Sequence, residues 1–127
     1  MQQHNFEYAV IRLVPRVERE EFINVGVIVY CRQHAFLQMK FVMHEGRIKA
    51  LDQAADLGEI SNHLAAYKHI AEGLSTAGPI AALDIASRFR WLTAKRSTIV
   101  QSSAVHPGLC TDPLATLERL FEQMVER

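Results

Sequence analysis

The sequence has few of the features that cross-link a chain, anchor it in a membrane or direct its export. Its 127 residues include only two cysteines, Cys31 and Cys110, and a chain of this length can bury a core without disulfides. No apolar run approaches the roughly 20 residues that span a bilayer, and the opening residues lack the basic and apolar regions of a signal peptide. These absences predict a single domain over residues 1–127, located in the cytoplasm with both thiols reduced.

Net charge is missing as well, because 14 Lys and Arg residues offset 14 Asp and Glu residues. No overall field would therefore attract nucleic acid or an anionic membrane. The balance conceals one local asymmetry, since residues 85–111 contain no acidic residue. All four Lys and Arg residues of this stretch lie between positions 88 and 96, and we call them the basic segment: Arg88, Arg90, Lys95 and Arg96.

The sequence does contain a long apolar, β-branched run over residues 21–30. Successive side chains of a strand point to opposite faces, so the four odd-numbered aliphatic residues of the run are predicted to share one buried face under helices. These residues are Ile23, Val25, Val27 and Val29. Asn24 and Gly26 interrupt the run, although both are unfavourable in strands. A glycine within a strand is typical of a bulge or of a close approach by another backbone or a ligand.

Two further segments alternate with the period of a strand. Residues 6–14 are apolar on both faces, which predicts an interior strand, and residues 35–43 have one apolar and one polar face. Short polar links join both segments to the central run and predict an antiparallel meander. Residues 98–102 are a candidate fourth strand, and His106-Pro107-Gly108 is a predicted turn.

Helical spacing dominates the second half of the chain. Helices are predicted over residues 59–75 and 79–92 and from Asp112 onward, with a short helix within 47–57. The predicted fold class is α+β, an antiparallel sheet of three to four strands with about three helices packed on it.

Arg12 and Asn24 are the first candidate for a site. Each lies on the less aliphatic face of its strand, and a hairpin around residues 16–21 would bring the two side chains close together. The functional interpretation is a polar site in which Arg12 binds an anion that Asn24 orients. The structural alternative is a satisfied polar pair with Glu21 as the ionic partner of Arg12, and it is favoured because buried charges are usually paired.

The basic segment is the second candidate. Phe89 and Trp91 lie among its arginines, and arginines interleaved with aromatic residues are typical of surfaces that bind phosphate or single-stranded nucleic acid. Solvated arginines near the end of a helix, beside core aromatics, would give the same pattern. Taken together, the candidate polar or anion site consists of Arg12, Asn24, Gly26, Arg88, Arg96 and His106.

Established metal-binding and catalytic patterns are absent from the sequence. The six histidines are scattered, and His106 and Cys110 have a ligand-like spacing without a second pair to complete a site. No G-x-S-x-G elbow surrounds a serine, and no glycine-rich phosphate loop is present. We therefore predict no metal and no cofactor, and no catalytic residue is assigned.

The opening of the chain resembles that of DUF3037, a bacterial family whose function is not established. The similarity lies in residues 8–15, Tyr-Ala-Val-Ile-Arg-Leu-Val-Pro, and in residues 19–27, Arg-Glu-Glu-Phe-Ile-Asn-Val-Gly-Val. It continues through Arg88-Phe89, Leu92-Thr93, Arg96-Ser97-Thr98, residues 106–110 and Asp112-Pro113, and so covers nearly the whole chain. The resemblance implies a small cytoplasmic bacterial protein. Since family members are often encoded beside a HipA-like kinase, it also implies a partner or regulator of such a kinase.

Three hypotheses for function follow. The leading one is a non-enzymatic accessory or regulatory protein that acts by protein–protein interaction, with a HipA-like kinase as the suspected partner. The alternative is a phosphate- or nucleic-acid-binding protein that uses the basic segment with Arg12. The third is an enzyme with a polar cleft, which would require four residues to converge: Arg12, Asn24, Arg96 and His106.

Overall fold

The computed structural model describes residues 2–127 as one sheet with helices on both faces. Within these residues the strands are β1 His4–Leu13, β2 Ile23–Cys31, β3 Phe36–Phe41, β4 Val100–Ser102 and β5 His106–Cys110. The helices are α1 Glu45–Leu51, α2 Leu57–Glu72, α3 Ile85–Leu92 and α4 Pro113–Phe121, and a π-helical turn over Glu122–Glu126 continues α4. Short 3-10 turns span Val17–Arg19, Ser75–Ala77 and Pro79–Ala82. The α+β class is confirmed, with one strand more than the predicted maximum of four.

The central strand of the sheet is β1. The spatial order is β3-β2-β1-β4, with antiparallel neighbours throughout, and β5 also pairs with β1. β4 pairs with residues 11–13 of β1 and β5 pairs with residues 4–8, so these two short strands lie end to end along one side of β1. Ser103 fills the gap between them, because its N–H donates to the Val10 carbonyl and its Oγ accepts from the Val10 N–H, both at 2.8 Å.

The predicted meander is confirmed, but the predictions for residues 106–108 and 79–92 are wrong. The predicted turn at His106 is instead the start of β5; Pro107 is tolerated there because β5 pairs on one side only, as an edge strand. The predicted helix over residues 79–92 is interrupted. Its first part is a 3-10 turn, and α3 begins afresh because the side chain of Asp84 accepts from the Ser87 N–H at 2.7 Å and caps a new helix.

A β-bulge in β2 divides the apolar run between the two faces of the sheet. The register with β1 shifts so that Val25 lies unpaired between Asn24 and Gly26. Val25 packs in the core beneath α2 and α3, whereas Val27 and Val29 pack on the opposite face beneath α4. These three valines are buried as predicted, whereas Ile23 is only partly buried. The prediction that the four aliphatic residues share one face is wrong, because a single extra residue reverses the alternation.

Gly26 is required by the close approach of β3 at this bulge. A Cβ atom at this position would lie 2.7 Å from the carbonyl oxygen of Lys40 and 3.0 Å from Cβ of Phe41. Of the predicted alternatives, a bulge and a close approach by another backbone are both present, and the neighbouring backbone belongs to the protein's own sheet.

Each face of the sheet has its own core. On one face, residues of β1, β2 and β3 pack against α1, α2 and α3, with Phe89 and Leu64 fully buried. On the other face, β2 packs against α4, which begins at the predicted cap, Asp112, and buries Leu117 and Phe121. Among residues 2–127, no helix combines the length and apolar character needed to cross a bilayer.

Candidate anion site

A cavity of about 270 Å³ lies where the ends of β1 and β4 meet the loop that follows α3. Its polar lining contains three basic residues and one acidic residue, which leaves an excess of positive charge. The polar lining residues are Arg12, Glu20, Lys95, Arg96, Ser97 and Gln101. Positive charge concentrated in a partly enclosed space favours an anionic ligand.

The register of the sheet places Arg12 in the middle of a polar row. Arg12 faces Asn24 on β2 and Gln101 on β4. Its guanidinium carbon lies 4.3 Å from the centroid of the Phe22 ring, and its Nε is buried without a hydrogen-bond partner among residues 2–127. The face of an aromatic ring stabilises a cation but gives the Nε–H no oxygen acceptor. Among residues 2–127, no carboxylate forms an ion pair with Arg12, so its positive charge remains at the cavity that it lines.

The predicted proximity of Arg12 and Asn24 is confirmed, but each side chain is turned to a different partner. Asn24 Nδ2 donates to the carbonyl oxygen of Met124 at 3.0 Å and ties β2 to the π-helical turn. Glu21 accepts from Arg19 Nε at 2.5 Å, and this bond lowers the pKa of the Glu21 carboxyl. Since Glu21 is paired with Arg19, the expectation that it would neutralise Arg12 is wrong.

The loop after α3 brings two residues of the basic segment to the cavity. Arg96 is held in place, because it donates to the Tyr67 hydroxyl at 3.2 Å and to the Trp91 carbonyl, and its guanidinium carbon lies 4.1 Å from the centroid of the Trp91 ring. Lys95 is exposed to solvent. The cavity therefore combines a fixed charge from Arg96 with an ammonium group on a flexible stem.

The other two residues of the basic segment lie away from the cavity. Arg88 donates to the carbonyl oxygens of Leu83 at 2.5 Å and Ala71 at 3.5 Å, and so joins α2 to the start of α3. Arg90 Nη2 donates to both oxygens of the Glu7 carboxylate, at 3.0 and 2.7 Å. Both arginines serve contacts within the protein, so the basic segment does not form one continuous surface.

His106 and Gly26 also lie outside the cavity lining. His106 is the register partner of Tyr8, with 5.3 Å between the ring centroids. Tyr8 is four residues from Arg12, a separation of roughly 13 Å along a strand. The four residues that the enzyme hypothesis requires therefore do not converge on one cleft.

The thiols form a separate feature of the sheet. Cys31 on β2 and Cys110 on β5 are both free and buried. Burial, with Cys31 as a neighbour, raises the pKa of the Cys110 thiol, so this group is protonated at neutral pH. Within residues 2–127, no three His, Cys, Asp or Glu side chains are grouped so that they could hold a metal ion.

Six residues of the cavity lining were not predicted from the sequence, and Glu20, Phe22 and Gln101 are among them. Gln101 faces Arg12 only because β4 joins β1 in this register, and no local pattern specifies that pairing. Glu20 has a left-handed backbone, with a φ of 59°, in a charged turn that gives no sequence signal for this conformation. The sequence did contain a signal for Phe22, because an aromatic ring next to the start of a strand can form a cation–π contact with a nearby arginine.

Comparison with known proteins supports the resemblance seen in the sequence. The model of a family described as a protein of unknown function (DUF3037) matches residues 8–125. The match extends over nearly the whole chain and confirms the predicted similarity. No curated protein and no solved structure matches the chain.

Proposed function

We propose that this chain, which belongs to the DUF3037 family of unknown function, is a non-enzymatic binding module with the Arg12 cavity as its ligand site. The ligand is a compact anionic group, a phosphate or a carboxylate. The observation that carries the proposal is the excess of positive charge in the cavity lining, where Arg12, Lys95 and Arg96 accompany a single acid, Glu20.

Charge complementarity supports this ligand class, because a partly enclosed lining with an excess of positive charge attracts an anion. An anion in the cavity would accept from Arg12 and gain charge stabilisation from Lys95 and Arg96. A volume of about 270 Å³ suits such a group better than a drug-sized ligand, for which pockets of roughly 300–1,000 Å³ are usual.

Extended nucleic acid is a weaker candidate for the same site. A strand bound through its phosphates needs several basic side chains along one surface. Arg88 and Arg90 are engaged within the protein and lie outside the cavity. The remaining positive charge is compact, which favours a single anionic group.

Calorimetric titration with inorganic phosphate and with acetate tests the proposal and separates its two ligand classes. Removing the charged donor with Arg12→Gln should weaken phosphate binding on the order of tenfold or more, and Lys95→Gln should weaken it less. Arg119→Gln is the matched control, because it removes the same charge from an exposed position outside the cavity. Equal binding of phosphate by wild type and Arg12→Gln would contradict the proposal.

The anionic group could be carried by a protein, and here the family resemblance suggests the partner. We propose that the chain is an accessory or regulatory protein of the bacterial cytoplasm that binds a HipA-like kinase. Affinity for that kinase should change little with salt, because only one anionic group is neutralised, whereas binding to RNA or DNA should fall steeply because each neutralised phosphate releases a counterion. Titration of the chain with the kinase and with nucleic acid, each across a salt series, distinguishes the two kinds of binding. Tight, salt-sensitive nucleic-acid binding without kinase binding would contradict the partner proposal.

A further inference from the structure

We propose that β3 is the docking site for an extended segment of a protein partner, which would join the sheet as an additional strand. β3 lies at one end of the strand order and pairs with β2 alone. A groove of about 550 Å³ runs along its outer side. Four consecutive residues of β3 line the groove, together with side chains from α2 and α4.

The backbone of β3 presents hydrogen-bonding groups to this groove. The Val42 N–H donates to the Val25 carbonyl at 2.9 Å, which fixes the phase of the ladder with β2. Because bonded and non-bonded pairs alternate between antiparallel strands, the backbone groups of Leu37 and Met39 turn away from β2 and into the groove. Such a row of donors and acceptors is a template for another strand.

The walls of the groove indicate the chemistry of the segment. Lys68 and Glu72 line it from α2 and are exposed, about 6 Å apart along the helix axis. On the opposite wall, Glu118 is already bonded to Lys40. Alternate side chains of an extended segment are about 6.8 Å apart. A segment with one acidic and one basic side chain two residues apart can therefore meet Lys68 and Glu72 together.

A lone extended segment fits this edge better than the same edge of a second copy. α2 and α4 pack on β3 from the two faces of the sheet, so a second copy would bring its own two helices alongside. Side chains of α2 and α4 already line both walls of the groove, so the helices of a second copy would have to share the same space. The occupant is therefore a strand without flanking helices, which is the β-augmentation mode of peptide recognition.

Two capped synthetic peptides test the proposal, Thr-Val-Glu-Val-Lys-Val-Thr and its charge-exchanged form Thr-Val-Lys-Val-Glu-Val-Thr. Each is titrated into the full chain labelled with nitrogen-15. One of the two should bind more tightly, and the amides of Leu37 and Met39 should become protected from hydrogen exchange. Two series of peptides are N-methylated on the backbone, one at the valines and the other at the charged residues. One series should lose affinity roughly tenfold, because its N-methyl groups replace the N–H donors that pair with β3.

A charge exchange on α2 provides the matched variant. Lys68→Glu combined with Glu72→Lys should reverse the preference between the two peptides without touching the core. As a control, Arg16→Glu combined with Glu18→Arg exchanges an exposed pair, with 3.9 Å between the charged atoms, that does not line the groove. The control should leave the preference unchanged.

Three results would overturn the proposal. The first is no binding of either peptide at millimolar concentration, and the second is binding that neither pattern of N-methylation weakens. The third is a dimer in sedimentation in which Leu37 and Met39 are protected without peptide, since a second copy would then occupy the edge. The groove and the Arg12 cavity share no residue, so failure here is distinguishable from failure of the anion proposal.

Discussion

Arg12 and Asn24 face each other across β1 and β2, yet their side chains turn to different partners. Asn24 donates to the carbonyl oxygen of Met124 at 3.0 Å, and the guanidinium carbon of Arg12 lies 4.3 Å from the centroid of the Phe22 ring. An uncharged amide therefore stands beside a cation whose Nε has no acceptor among residues 2–127. The pairing leaves positive charge available at the cavity.

Replacing Asn24 by Asp should make the positive charge of Arg12 unavailable to a ligand. A carboxylate beside Arg12 would accept from the guanidinium and neutralise it, so phosphate binding should weaken several-fold in a calorimetric titration. Asn24→Ala introduces no charge and should bind phosphate as wild type does. Undiminished phosphate affinity in Asn24→Asp would show that Arg12 does not contact the ligand.

Ser103→Ala should destabilise the fold. The hydroxyl accepts from the Val10 N–H and donates to the Ala104 carbonyl, both at 2.8 Å, at a buried position between β4 and β5. Alanine leaves a buried N–H without an acceptor, which costs about 1–3 kcal/mol in the free energy of unfolding. Urea unfolding measures this cost. Ser61→Ala, at an exposed position in α2, is the control and should change stability by less than about 0.5 kcal/mol.

Gly26→Ala should destabilise the sheet at the bulge. The added methyl group would lie 2.7 Å from the Lys40 carbonyl oxygen, so β3 would have to move, at a cost of about 1–3 kcal/mol. Gly46→Ala is the control, since a Cβ there meets nothing within 4 Å and the position lies in α1. The control should raise stability by about 1 kcal/mol. Thermal unfolding curves that move in the same direction for both variants would contradict this account of Gly26.

Ala35→Gly should stabilise the protein. Ala35 has a φ of 49° in the link between β2 and β3, where its N–H donates to the Arg32 carbonyl at 3.0 Å. The left-handed conformation costs a residue with a Cβ about 1–2 kcal/mol. Glycine removes this cost, but part of the gain is lost because glycine makes the unfolded chain more flexible. A gain of about 0.5–1 kcal/mol in the free energy of unfolding is expected. Ala50→Gly, in helix α1, should change stability in the opposite direction by about 1 kcal/mol.

Stability should fall at alkaline pH in a way that depends on Cys110. Burial raises the pKa of this thiol above that of an unfolded chain, so the folded state holds the proton more tightly. The contribution of this group is complete below the unfolded pKa and is lost as pH rises through the folded pKa. Cys110→Ala should therefore show a shallower loss of stability above about pH 8.5, measured by urea unfolding at several pH values.

The thiols themselves should react slowly in the native protein. Both are free and buried, so a thiol reagent at neutral pH should label Cys31 and Cys110 only as the chain unfolds. Titration of unfolded protein that has not been reduced should find both thiols. Recovery of an intramolecular disulfide would contradict the expectation of a reducing compartment.

Sequence patterns predicted the elements that depend on local periodicity. Short links and alternation were sufficient for the β1-β2-β3 meander, and Asp112 followed by Pro113 marked the start of α4. Alternation failed at Val25, because a bulge inserts one residue without changing the composition of the strand. It also failed at His106, where a proline–glycine pair typical of a turn lies in an edge strand.

The candidate site was predictable only in part. The pairing of Arg12 with Asn24 followed from a hairpin, which is local. The approach of Lys95 and Arg96 to Arg12 depends on the path of a loop and on how Arg96 is held by Tyr67 and Trp91. Those contacts join residues that are distant in the sequence, and no periodicity specifies them.

The position of β1 has a consequence for the synthesis of the chain. Tyr8 pairs with His106, so β1 leaves the ribosome about a hundred residues before the strand that covers its second side. Such long-range pairing slows folding. During that interval the backbone N–H and C=O groups along one side of this apolar strand are unpaired and can pair with other nascent chains. Faster elongation, or a chaperone that covers this edge, should raise the yield of native protein more than any improvement in the helices. The earliest strand is the last to be completed.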